Sequence, residues 1–412
     1  MAQKVRAMQP LPPLRNVSFL SYWLGQTFTA LGDALIFVAL PFVVFEITGG
    51  ENVQVLALAL VFGTIPRFAG VFVGSLVDRL PLRLLLQFGS LFRALVFGML
   101  AVLLVQDLAN PTLIYVLAFL NGSLAIFVQT TGNVLVPQLV DRAFLPRANS
   151  LMQIAVTGVP LLGYGLAGIA VATIGTVATL FIAAACFTVL PLMGFAIRFP
   201  RFESSGPRSI LQDVSDGITL LFRQQQLLLA TLTAVVLNAE VRLLSVLIPG
   251  AMANLDWGAR GYGLFQSLFS GGVLLGLVLT STLLARLSLV GRLINALGFA
   301  TLSYLLFAVG EHALLFFAGA LLLGTCSGIG SVVVITMFQF IIRKEKLGRV
   351  LGVFDSFNAF GFTLGPLLTG WLITFLSDRQ IYSLCAALLI ALGLMFLSVR
   401  RSPATTTRMS SS

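Results

Sequence analysis

Among the few ionisable side chains inside otherwise apolar stretches of this chain, four stand out: Asp33, Glu240, Arg67 and Arg93. A charge surrounded by hydrocarbon is costly unless it meets a partner or water, so each of the four is a functional candidate by default. Apolar surroundings disfavour an ionised carboxylate, and Asp33 or Glu240 could then load and release a proton near neutral pH. The structural alternatives are a hydrogen bond from Asp33 to backbone or Gln26, and a local pairing of Glu240 with Arg242. Arg67 and Arg93 carry the opposite charge. Near a helix end a guanidinium snorkels to phosphates or polar loops; pointed inward it would contact an anion. Asn121, Asn238, Asn358, Gln129 and Gln339 add hydrogen-bonding capacity, toward a ligand or between helices.

Other chemistries lack their residues. There is no Walker lysine pattern, no dinucleotide fingerprint after a strand and no His-Glu-x-x-His helix, and no nucleophile has a base at a credible spacing. Neither an enzyme nor a cofactor is expected. The glycines of Gly324-Thr-Cys-Ser-Gly328-Ile-Gly330 lie in an apolar run, where small residues let helix backbones approach. Cys186, Cys326 and Cys385 have no second Cys or His at ligand spacing and read as core residues, so no metal site or disulfide is expected. His312, beside Glu311 in a short loop, reads as solvated.

The elements that must position these groups follow from composition. With 58% hydrophobic and 10% charged residues and a mean hydropathy of +1.00, the chain has too little polar surface to coat a water-soluble globule. Lipid is the expected solvent, and long apolar runs select helices over a closed barrel. The fold class is therefore all-α, with spans expected at 17–45, 53–77, 84–106, 111–136, 148–173, 176–198, 226–251, 261–286, 291–310, 313–341, 348–376 and 380–400. Asp33 and Glu240 each lie about 14 residues into a span, which puts both roughly 20 Å from the same face.

The net charge is +10, and what matters is where it falls. About 20 of the 25 Lys and Arg lie in the N-terminus, the even-numbered loops and the tail, with Arg260 and Arg379 opposite. That asymmetry predicts cytoplasmic termini in the cell (inner) membrane. No basic run is interleaved with aromatics outside the membrane, so nucleic acid is not an expected partner.

The chain also repeats itself. Arg147-Ala-Asn-Ser-Leu-Met-Gln153, running through Gly163 to Gly168, aligns without gaps with Arg349-Val-Leu-Gly-Val-Phe-Asp355, running through Gly365 to Gly370, at an offset of 202 residues. A parallel repeat of this kind predicts two pseudo-symmetric six-helix bundles with a pathway between them. The expected division is 1–197 for the first bundle, 198–225 for a linker with an amphipathic helix, and 226–412 for the second bundle and basic tail.

Gly74-Ser-Leu-Val-Asp78-Arg79-Leu-Pro-Leu-Arg83 resembles the loop signature of the major facilitator superfamily. Phe19 to Asp33, Ala39-Leu-Pro41, Glu46-Ile-Thr-Gly49, Ile65-Pro-Arg67 and Leu145-Pro-Arg-Ala-Asn-Ser150 resemble the branch that holds macrolide-type drug exporters and the enterobactin exporter. The resemblance implies an alternating-access transporter. Gly74, Asp78, Arg79 and Arg83 would gate the path, with Arg349 and Asp355 as a gating ion pair of the second half. Helices one and seven line the cavity in that superfamily, so Asp33 and Glu240 would face each other across it. The implied function is proton-coupled efflux of small amphipathic compounds by a monomer, its partners being the substrate, protons and membrane lipid. A flippase for lipid-like molecules, an organic-anion importer and a non-transporting receptor stay open beside it.

Overall fold

A computed structural model describes residues 13–69, 73, 76–77, 80–141, 144–199, 218–342 and 344–401. Helices form where apolar runs lie between good caps. Helix α1 (Val17–Thr48) starts where the Asn16 side chain accepts the Phe19 amide and stops at Gly49, whose φ of 69° suits glycine. Helix α2 (Val53–Thr64) is capped in the same way by Asn52.

The expected second span ran unbroken to residue 77. Instead α2 ends at Thr64 and a 3-10 turn covers Ile65–Ala69. Pro66 explains the break: it has no amide hydrogen, and its ring crowds the preceding turn.

Helices α3 (Leu82–Val105), α4 (Pro111–Leu139) and α5 (Leu145–Gln153) follow. A π turn at Ile154–Gly158 leads into α6 (Val159–Met193), where the Val159 amide reaches back to the Ile154 carbonyl just before Pro160. Helix α6 reverses direction at Gly175, whose φ of 85° and ψ of 170° are open to glycine. Gly163 on the first limb meets Ala34, and on the return limb Thr176 meets Glu46 and Leu190 meets Gly25. The second half comprises α7 (Gln225–Asn254), α8 (Gly258–Ser281), α9 (Leu289–Ala308), α10 (Ala313–Ile341), α11 (Lys344–Leu372) and α12 (Asp378–Arg401).

Among the described residues nine helical stretches are long and apolar enough to cross a membrane. The turn at Gly175 makes the Leu145–Met193 stretch cross twice, α11 supplies another crossing, and the stretch from Val53 through the 3-10 turn to the helical residues 73 and 76–77 supplies the last. The result is an all-α protein of twelve crossings in two bundles, with large apolar side chains such as Leu162, Phe195, Leu314 and Phe340 on its outer surface. An even number of crossings puts the starts of α1 and α7 and the end of α12 on one face, here termed the terminal face. Most of the linker, 200–217, lies outside the described residues; 218–223 is helical.

Small residues hold the second bundle together. Gly324 and Gly328 of α10 lie against Gly272 and Gly276 of α8, leaving no room for side chains between the backbones. Beside them Phe307 packs on Phe265, Tyr304, Phe316 and Tyr382, with ring centroids 5.6 to 5.9 Å apart. The repeat has a structural counterpart: Gly163 packs on Ala34 of α1, and its partner Gly365 packs on Ala239 and Arg242 of α7.

Candidate functional site

The two halves meet along a seam away from the terminal face. Gly168 of α6 lies against Ala259 and Gly263 of α8, and Ser267 donates to the Leu161 carbonyl (2.6 Å). Gly370 of α11 touches Ala57 of α2. Thr363 donates to Thr64 (3.2 Å), the last residue of α2 and two residues before Pro66. Among the described residues no hydrogen bond or ion pair joins the halves on the terminal side of that threonine pair. The contacts that hold the halves together lie at and beyond that threonine pair, and the exposure of Asp33 and Arg67 at its level leaves the path between the bundles open on the terminal side and sealed at the other.

Asp33 lies on α1 near the inner end of this seal, which forms the roof of the path. Its Oδ1 accepts from Arg93 Nη2 of α3, and Arg93 Nε donates to Asn121 Oδ1 of α4 (2.8 Å). The guanidinium also lies 4.1 Å from the Phe187 ring centroid. The Asp33 side chain is 52% exposed and that of Arg93 only 2%, so the acid is the member of the pair in contact with the open path. Two expectations change. Arg93 neither snorkels nor offers a free contact to an anion, because it stands about 16 Å into its helix, beyond reach of the surface. Gln26 is not the partner of Asp33; it donates to the Tyr22 hydroxyl (2.6 Å).

Glu240 does not face Asp33. It is buried inside the second bundle near Tyr304, Cys326 and Cys385, and neither of its oxygens has a hydrogen-bond partner. Nor does it pair with Arg242. That guanidinium turns to the seam, 4.8 Å from the Phe362 ring centroid and 5.7 Å from that of Phe37 in the other half. Arg67, exposed on the 3-10 turn, lies 5.6 Å from the same Phe362 ring. Phe37 stacks on Tyr262 and leans on Tyr164, so three aromatic rings from both halves close the roof.

The remaining expected residues are placed as follows. Asn238 donates to Asn358 (2.9 Å), tying α7 to α11. Arg83 bonds Gln87 (3.3 Å) and lies over Phe195, within the first half. Asp355 is exposed on α11, and the Arg349 side chain lies outside the described residues, as do Gly74, Asp78 and Arg79. His312 is exposed in its loop. Among the described residues no group of three His, Cys, Asp or Glu could hold a metal ion.

Sequence reasoning missed the roof aromatics, although Phe37 follows Asp33 by one helical turn and so shares its face. It also missed Glu51, which sits in the loop at the sealed end with its carboxylate against Gly250 of α7. Burial, and then the Asp378 carboxylate, push the Glu51 carboxyl up from its ordinary value.

The profile of the Major Facilitator Superfamily matches residues 22–309 and 230–411. An MFS-type transporter, y4rN, of Sinorhizobium fredii is 30% identical over 249 residues, 58% of this chain, and the match spans 60% of that relative's length. The multidrug efflux pump Tap of Mycolicibacterium fortuitum is 25% identical over 362 residues, 82% of this chain and 85% of that protein. The structure of the nucleoside transporter NupG superposes with a TM-score of 0.78 at 13% identity, over 94% of this chain and 100% of NupG, a likeness of fold alone. Sequence profile and architecture agree across nearly all of the chain: this multi-pass membrane protein belongs to the major facilitator superfamily, whose members are transporters and not enzymes.

Proposed function

We propose that the protein is a proton-coupled secondary transporter that exports small amphipathic compounds by alternating access. The crowding of Lys and Arg at the terminal face argues that this face is cytoplasmic, in the cell (inner) membrane. With that orientation the path is open to the cytoplasm and sealed outside. The resemblance to Tap, a multidrug efflux pump, supports export of small amphipathic compounds.

One observation carries the proton: the half-exposed Asp33 neutralises the buried Arg93. Protonation from the open side converts Asp33 to a neutral acid and leaves the guanidinium with Asn121 and the Phe187 ring. An uncompensated buried charge is expensive, so protonation loosens α1 from α3 and favours another arrangement of the bundles. A substrate that prefers the ionised pair and a proton that dissolves it then exclude each other, which is the requirement for exchange.

The test is proton flux in proteoliposomes, wild type against Asp33→Asn, with an amphipathic cation and a siderophore-like anion offered in turn. Substrate-dependent proton movement that vanishes in the variant is expected. Equal substrate flux in both proteins without a proton signal would overturn the coupling.

A further inference from the structure

We infer that Arg67 and Arg242 form the two jaws of a binding site for an amphipathic organic anion, a carboxylate, sulfonate or phosphate carried on a flat apolar body. The inference deepens the transporter reading and rests on it for the path. It begins with charge. Around the roof stand Asp33, Arg93, Arg67 and Arg242. Asp33 pairs with Arg93 and its charge also acts on Arg67, so one negative charge faces three positive ones. Among the described residues no carboxylate forms an ion pair with Arg67 or Arg242, so two positive charges remain at the apex of an open path.

Their contacts do not cancel that charge. Both guanidinium groups lie by the Phe362 ring, 5.6 and 4.8 Å from its centroid, and Arg242 also approaches Phe37. A cation over an aromatic face gains about 0.5–2 kcal/mol, but the ring stays neutral and the two like charges still repel. Arg67 belongs to the first half and Arg242 to the second. An anion between them would relieve the repulsion and bridge the bundles at the level where Thr64 and Thr363 already meet. The guanidinium forks match carboxylate, sulfonate or phosphate oxygens, and Phe37, Phe362 and Tyr164 provide flat apolar surface for the rest of the molecule. A cationic compound would meet net positive charge at the same point.

The experiment uses the full chain in zwitterionic nanodiscs and compares binding of 2-naphthalenesulfonate with that of 2-naphthylmethylammonium, which share the ring and differ in charge. Wild type is expected to bind the sulfonate at least about tenfold more tightly. R67Q and R242Q should each weaken sulfonate binding by about tenfold, with R67K and R242K retaining part of it. Short-chain phosphatidylglycerol as competitor separates the anion sources: displacement assigns the site to lipid headgroups, and no displacement assigns it to soluble anions, both within the proposal. Equal or tighter binding of the ammonium by wild type would overturn it, and needs no variant to fold. Unchanged sulfonate binding in both glutamine variants would do the same. Flux in proteoliposomes keeps the two readings apart. Anion binding without flux of any compound sinks transport and leaves the site, whereas proton-linked flux with ammonium preferred sinks the site and leaves transport.

Discussion

Glu240 and Arg242 stand two residues apart on α7 and point into different compartments, the acid into the core of the second bundle and the guanidinium into the seam. Two residues turn a helix by about 200°, so the pair cannot meet on one face. The acid's oxygens lack hydrogen bonds, and a charge held there would be strongly unfavourable. Glu240→Gln is therefore expected to hold its melting temperature within about 2 °C of wild type and to keep proton-linked flux, while Glu240→Lys should lose most of the folded protein. Loss of coupling in a normally stable Glu240→Gln protein would instead route the proton through this core.

The Asp33–Arg93 pair makes the opposite prediction. Asp33→Asn strands a buried guanidinium. Removing one member of a fully buried pair costs about 3–5 kcal/mol, and the exposure of Asp33 reduces the expected loss to about 1–3 kcal/mol. Arg93→Gln added to Asp33→Asn should cost less than the two single changes together, because the stranded charge is gone. Thermal unfolding of the four proteins in detergent gives the cycle; strict additivity would mean that the pair does not stabilise the bundle.

How far the sequence reached depends on the kind of question. Apart from the second span, hydropathy located the spans within a few residues, because lipid leaves the backbone little choice. The repeat located Gly163 and Gly365, both of which became helix contacts. Pro66 was visible as a residue, but a stretch hydrophobic through to residue 77 masked the break it causes. Depth was readable as well: about 1.5 Å per residue already puts Arg93 too deep to snorkel. The facing of Glu240 was not readable. Its spacing from the helix start gives height, whereas the direction of a side chain depends on helical phase and on which neighbour each face packs against. Arg67 and Arg242 come together only because Phe362, 295 and 120 residues further along the chain, stands between them.

The seal tests alternating access directly. A Cβ built on Gly263 would fall 2.5 Å from the Tyr164 carbonyl oxygen and 2.9 Å from the Gly168 Cα, both backbone atoms of the other half. Neither can yield as a flexible side chain would. Gly263→Val should thus push the bundles apart at the sealed end and favour the state open on that side. Spin labels placed across the sealed face would register a longer distance in the variant. An unchanged distance in a folded protein would argue that the α6–α8 contact does not control opening.

Glu51 adds a pH dependence to the same seal. Its carboxylate lies against Gly250 of the other half, and burial together with Asp378 at the start of α12 pushes its carboxyl up. A carboxyl raised in the closed seam prefers its proton there. Its contribution to closure is then fully present below the ordinary glutamate range and lost as pH rises through the raised value. Acidifying the sealed side should favour closure, and alkalinising it should favour opening, with the ionised Glu51 and Asp378 repelling each other across the seam. The same spin-label distance, followed from about pH 4 to pH 7, should lengthen in wild type. Glu51→Gln keeps the shape and removes the titration, so its distance should stay short and respond less to pH. An equal response in both proteins would assign the dependence to another group.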